Sequence, residues 1–142
     1  MTDSVVFARV VDGPVSLEEC QAAVAADDAG AIVTFAGVVR DHDGGRSVTS
    51  LDYEGHPSAG DVIASVADSV AREFPRVRIA IAHRVGSLVV GDLALAAAVS
   101  SAHRADAFAA CSRLVDEVKR QVPIWKEQRF ADGSSEWVGS LG

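Results

Sequence analysis

The spacing of apolar and polar residues changes several times along the chain, and each change marks an element. Val5 to Val11 reads as a first strand, closed by the turn signal Asp12-Gly13-Pro14. Ser16-Leu17-Glu18-Glu19 is a capping box, with serine at the N-cap and glutamate three residues on. It opens a helix to about Ala26, in which Leu17, Cys20 and Val24 recur at helical spacing. After Gly30, Ala31 to Val39 is a near-continuous apolar run, the pattern of a strand buried on both faces.

Asp41 to Ser47 is polar and glycine-rich and predicts a mobile loop. Val48 to Tyr53 alternates as a strand. Pro57 or Ser58 then starts a helix in which Val62, Ile63, Val66, Val70 and Phe74 repeat every three or four residues, up to Pro75. Arg76 to Ala82 predicts a half-buried strand, with Val77, Ile79 and Ile81 on one side and Arg76, Arg78 and Ala80 on the other. Gly86 and Gly91 bracket a short segment, Ser87 to Val90, before an apolar strand from Leu93 to Ser100.

Ser101 is the expected N-cap of a helix from about His103 to Gln121. Its expected core stripe is Ala107, Phe108, Cys111, Leu114, Val115 and Val118, and Pro123 ends it. Trp125 to Phe130 and Glu136 to Val138 predict two short strands around an Asp132-Gly133 turn. This order mixes hairpins with crossover helices. It predicts one α+β domain over residues 1–142, with helices packed on a mainly antiparallel sheet.

Composition narrows the function. Hydrophobic residues make up 49% and charged residues 23% of the 142, the balance of a globular chain. The net charge of −7 argues against general nucleic-acid binding, which needs a basic face. That charge is uneven: residues 1–71 carry −9 and residues 72–142 carry +2, so a local positive site for a small anion fits the second half. No charged, apolar leader and no membrane-length apolar run is present, so a cytoplasmic protein without membrane contact is expected. Cys20 and Cys111 are far apart in no metal or redox spacing and are expected to be buried free thiols.

Eleven arginines accompany only two lysines, Lys119 and Lys126. Arginine does not lose its proton in a protein, whereas a desolvated lysine can, and can then serve as base or nucleophile. Two lysines seven residues apart in such a chain therefore invite a chemical role, although two surface lysines would look the same. Lys119 falls at the margin of the last helix's apolar stripe. Lys126 follows Pro123 and Trp125 into a strand. His103-Arg104 lies where a strand turns into a helix, which makes an anion cradle with the free backbone N–H groups; pairing with Asp106 is the plainer alternative. Arg40 ends the second strand beside the polar loop. The four histidines show no metal-ligand spacing.

Ser101-Ala102-His103-Arg104, Ala107-Phe108, Asp116, Lys119, Pro123-Ile124-Trp125-Lys126, Asp132-Gly133 and Trp137-Val138 together resemble the catalytic (large) subunit of molybdopterin synthase. Phe35 to Arg40, Leu51 to Glu54, His83 to Gly86 and Gly91-Asp92 extend the resemblance upstream, so that it spans about residues 30–138 in order. It implies a two-layer α/β hammerhead-type fold. It also implies a homodimer that becomes a heterotetramer with two small ubiquitin-like sulfur-carrier subunits, each ending in a Gly-Gly thiocarboxylate. The implied reaction converts cyclic pyranopterin monophosphate, a pterin phosphate, to molybdopterin by transfer of two sulfurs, with no metal or organic cofactor.

By the same resemblance, Lys119 and Lys126 are catalytic. Lys119 assists sulfur transfer as acid/base or as transient acceptor of the carrier's C-terminus. Lys126 positions substrate and stabilises developing negative charge. Arg40, His103 and Arg104 bind the phosphate and pterin, partly across the dimer interface, and Val38, Val39, Glu127 and Gln128 line the pocket. The chain departs from the family pattern in carrying Glu127-Gln128 after Trp-Lys, and in a C-terminal segment, Gly139 to Gly142, without basic residues. Two other readings stand beside this one: a non-catalytic binder of a ubiquitin-like carrier, and a lysine Schiff-base enzyme.

Overall fold

A computed structural model of the chain describes residues 4–139. Its elements run β1 (Val5–Val11), α1 (Leu17–Val24), β2 (Ala31–Val38), β3 (His42–Asp43), β4 (Arg46–Gly55), α2 (Ala59–Glu73), β5 (Arg78–Arg84), β6 (Gly86–Val89), β7 (Leu93–Ser101), α3 (Arg104–Gln121), β8 (Ile124–Phe130) and β9 (Ser135–Val138). The first sheet has the order β1-β5-β7-β2, with only β1 and β5 parallel. The second has β4 at its centre, paired with β3, β6 and β8, and β9 on the far side of β8. The architecture is α+β with mainly antiparallel sheets, as the element order predicts.

The capping box forms as written: Ser16 Oγ accepts from the Glu19 amide at 3.1 Å. Helices α2 and α3 cover one face of the first sheet. Ile63, Val66 and Val70 from α2 and Leu114 and Val118 from α3 meet Ile79, Ile81, Ala97 and Val99 in the main core. Each large aliphatic side chain so buried contributes about 2 kcal/mol. The short helix α1 lies on the opposite face, where Cys20 and Val24 pack on Ala80, Ala96 and Ala98.

That placement corrects two burial expectations. Strand β5 is not half-buried, because α1 covers the side that carries Ala80 and Ala82. Conversely, β2 is not buried on both faces: Val33 and Phe35 pack inward, while Ile32 and Val38 are 37% and 52% exposed. An eight-residue helix is only about 12 Å long; α1 packs mainly on β7 and β5 and only touches β2, so most of β2's outer face stays open. Two further corrections concern α3. Its N-cap is His103, not Ser101, which ends β7. Phe108 is 59% exposed and leaves the core stripe to Ala107, Ala110, Cys111, Leu114, Val115 and Val118.

The polar stretch after Arg40 is not an open loop. Strands β3 and β4 form a tight hairpin whose two turn residues, Gly44 and Gly45, have φ of 58° and 78°, values that glycine adopts without steric cost. Gly30 meets a different demand, since a Cβ there would lie 2.6 Å from the Ala102 carbonyl oxygen. Cys20 and Cys111 are buried free thiols on opposite faces of the sheet, as expected.

Candidate active site

The two sheets meet in a cleft of roughly 480 Å³. Its wall is the end of β2, Phe35 to Val38, continuing into Val39 and Arg40. Its floor takes Tyr53 from β4, His83 from β5, and Ala94 and Leu95 from β7. Lys119 comes from the last turn of α3, and Lys126 and Gln128 come from β8.

Each position follows from its element. Val118 is buried in the helix stripe, which leaves Lys119 at the stripe's margin, facing the cleft. In β8, Gln128 is buried and Lys126 half-buried on the cleft side, and alternation turns Trp125, Glu127 and Arg129 to the other face. Glu127 there lies 3.7 Å from the Arg129 guanidinium, and Arg129 also pairs with Asp52. Val39 is clamped to the β6–β7 turn, donating to the Asp92 carbonyl at 3.0 Å and accepting from the Gly91 amide at 2.8 Å. That clamp sets where Arg40 leaves the strand.

Electrostatically the cleft is a cationic hollow with one counter-charge. Desolvation, with Arg40 and Lys119 nearby, pulls the Lys126 amine below the usual lysine range, against the opposing pull of Asp43. Asp43 itself is held below the usual carboxylate range, chiefly by Gln128, whose Nε2 donates to Oδ2 at 2.7 Å. Arg40 donates to the other carboxylate oxygen at 3.2 Å. The hairpin is therefore fastened to β8 across the cleft mouth.

His83 is 1% exposed, and its Nδ1 lies 2.7 Å from the Arg84 carbonyl oxygen. Its ring meets Tyr53 edge-on, with centroids 4.9 Å apart. Burial pushes the imidazole down to about 4, so the ring is neutral. Tyr53 is pushed the other way by burial and keeps its proton.

Of the residues expected at the site, the cleft gathers Val38, Val39, Arg40, Lys119, Lys126 and Gln128. Glu127 lies on the reverse face of β8. His103 and Arg104 begin the helix that Lys119 ends. Arg104 and Lys119 are fifteen positions apart, about 22 Å of helix, so one chain does not bring them together. The expected absence of basic tail contacts falls at Ser140 to Gly142, outside the described residues. Sequence reasoning missed Tyr53, His83 and Asp43 as lining or countercharge. Tyr53 and His83 stood in the motifs that carried the resemblance, but a lone histidine in an apolar strand has no spacing signal of its own.

Comparison with known proteins shows the family. The family model for the MoaE protein matches residues 10–121. The chain is 41% identical to molybdopterin synthase catalytic subunit 1 of Mycobacterium tuberculosis, covering 94% of this chain and 90% of that protein. It is 42% identical to the molybdopterin synthase catalytic subunit of Nostoc sp., covering 91% and 79%. The crystal structure of molybdopterin synthase from Staphylococcus aureus superposes with a TM-score of 0.87 at 32% identity, covering 98% of this chain and 99% of that one. A Helicobacter pylori complex of subunits 1 and 2 of molybdopterin-converting factor shares the fold at a TM-score of 0.68 and 16% identity. A family match over most of the chain, relatives this similar along nearly their whole length and a shared fold make this chain a member of the MoaE protein family, whose curated relatives are enzymes named as molybdopterin synthase catalytic subunits.

Proposed function

We propose that this chain is the catalytic subunit of a molybdopterin synthase and transfers sulfur to cyclic pyranopterin monophosphate from the C-terminal thiocarboxylate of a small ubiquitin-like carrier. The observation that carries this reading is the convergence of both lysines of the chain, with Arg40, on one cleft walled by an exposed strand end. A thiocarboxylate and a phosphate are both anions, and three cations against one carboxylate complement them. The narrow, flexible Gly-Gly tail of the carrier suits a cleft between two sheets.

In this reading the carrier's thiocarboxylate sulfur forms a bond to a substrate carbon as that carbon loses a bond to oxygen, the departing oxygen taking up a proton. The acyl–sulfur bond to the carrier then breaks, and the carrier leaves as a carboxylate after water has entered. Lys119 serves that exchange as acid/base or as transient acceptor of the acyl group, an amide that water must then cleave. Lys126, held in place by its half-buried strand, stabilises the negative charge that develops. Arg40 anchors the phosphate. His103 and Arg104 reach substrate only from a second copy of the chain, so the site is shared across a homodimer, and two carriers complete a heterotetramer.

Purified chain, thiocarboxylated carrier and cyclic pyranopterin monophosphate form the direct test. Molybdopterin is expected from wild type, with a loss of about a hundredfold or more in Lys119→Ala, the scale of removed acid–base catalysis. Carrier binding with no product from wild type would overturn the enzyme reading in favour of a non-catalytic binder.

A further inference from the structure

The titratable groups around the cleft are Arg40, Tyr53, His83, Lys119 and Lys126, with Asp43 at its mouth. His83 alone among the nitrogen bases there is almost wholly buried, and the chemistry above leaves it without a role. Its surroundings constrain it closely. Nδ1 lies 2.7 Å from the carbonyl oxygen of Arg84, an acceptor with no hydrogen to give, so Nδ1 carries the ring's proton. In a neutral ring Nε2 then holds a lone pair. Tyr53 packs edge-on against the ring and restricts its rotation. His83 shares the cleft lining with Lys119, whose positive charge is close enough to oppose protonation of the ring.

We propose that His83 is a positioning residue for Lys119: its ring, locked by the Arg84 carbonyl and Tyr53, presents the Nε2 lone pair to the Lys119 amine and fixes that amine's direction in the cleft. The inference rests on the reading of Lys119 as the group that serves sulfur transfer, and extends it to what aims that group. A lysine reaching in from the end of a helix has four rotatable bonds. An acceptor on a fixed strand removes part of that freedom before substrate arrives, at a site where a misplacement of about 1 Å can cost about a hundredfold in rate. No proton needs to reach His83. Its task is to remain a neutral acceptor.

Two substitutions separate this role from packing. His83→Asn keeps a donor within reach of the Arg84 carbonyl and puts nothing at the Nε2 position, whereas His83→Gln is long enough to place its amide oxygen there. The first measurement needs only the chain: brief acylation with an amine-reactive ester, with labelling of Lys119 and Lys126 compared by mass spectrometry. In His83→Asn the Lys119-to-Lys126 ratio is expected to rise about two- to tenfold, the effect of one lost hydrogen bond; in His83→Gln it is expected to stay near wild type. The second measurement is single-turnover sulfur transfer. His83→Asn should lose about a hundredfold in rate with carrier affinity unchanged, and His83→Gln should recover most of it.

An unchanged ratio and rate in a folded His83→Asn protein would overturn the proposal. Equal losses in both variants, accompanied by equal losses of thermal stability, would also overturn it and leave His83 a packing residue. If wild type makes no product, the sulfur-transfer reading fails, while the acylation ratio still decides whether His83 holds Lys119.

Discussion

Gln128 and Asp43, 85 residues apart in sequence, are joined by a 2.7 Å hydrogen bond that fastens the β3–β4 hairpin to strand β8. Gln128 is 3% exposed and Asp43 stands at the cleft mouth, where it also receives Arg40. The bond therefore does two things: it satisfies a buried amide, and it places one negative charge beside Lys126. Gln128→Ala is expected to cost about 1 kcal/mol in urea unfolding and to raise hydrogen exchange in the hairpin amides. Exchange that rose equally across both sheets would show that the bond does not hold the hairpin specifically.

Asp43 also predicts an acid response. Its folded carboxyl ionises below the usual range, so the contribution is fully present above the ordinary aspartate value and is lost as pH falls through the folded one. The hairpin should loosen only in that acid range, and Asp43→Asn should remove the dependence there while keeping an acceptor for Gln128. Amide exchange of residues 41–47 against pH measures this.

His83 titrates in a different window. Its folded value, about 4, lies below the unfolded 6.5, so the unfolded chain takes up a proton that the folded chain refuses. Stability is unaffected above pH 6.5, falls as pH drops from 6.5 towards 4, and levels below that, a total of about 3 kcal/mol. The stability of wild type minus that of His83→Gln, from equilibrium unfolding, should fall by about 3 kcal/mol as pH drops across this window. Parallel curves would show that the imidazole is not buried in its neutral form.

The distance between Arg104 and Lys119 along α3 yields a complementation test. If each cleft takes Lys119 from one copy and Arg104 from the other, Lys119→Ala and Arg104→Ala chains are inactive apart and active together. Random exchange makes half the dimers mixed, and each mixed dimer has one cleft with both residues intact. About a quarter of wild-type activity should return after subunit mixing. Full activity of Arg104→Ala alone would place Arg104 outside the reaction, and no return from two inactive chains would confine the site to one chain.

Both cysteines are shielded. Burial pushes Cys20 up to about 11 and raises Cys111 as well, so neither supplies a thiolate at neutral pH. A thiol reagent should modify neither in the native protein and both at the rate of unfolding in denaturant. Rapid native labelling of Cys111 would mean that the groove beside Phe108 opens in solution.

How much was legible before folding varied with the range of the interaction. Local signals held: the Ser16 capping box, the Pro75 and Pro123 stops and the Asp132-Gly133 turn each act within a few residues, so the sequence around them contains the whole cause. Burial failed where a distant element decided it. Alternation in residues 76–82 says that two faces differ, but only the arrival of α1 says that both are covered. The apolar run of 31–39 says strand, but only the placement of α1, mainly over β7 and β5, leaves one face of this edge strand open. Phe108 reads as core at helical spacing, yet it lines an open groove beside the β2 edge and stays 59% exposed.

The site divides in the same way. The scarcity of lysine among arginines singled out Lys119 and Lys126 from composition alone, because the distinction between those side chains is chemical and intrinsic. The sequence by itself thus determined the elements other than the β3–β4 hairpin, their order and the two amines. Only the tertiary structure decided that the last turn of α3, the middle of β8 and the end of β2 converge on one cleft, that Glu127 faces away from it, and that His83 lies neutral on its floor. Convergence and desolvation depend on contacts between residues far apart in the chain, and no local periodicity encodes them.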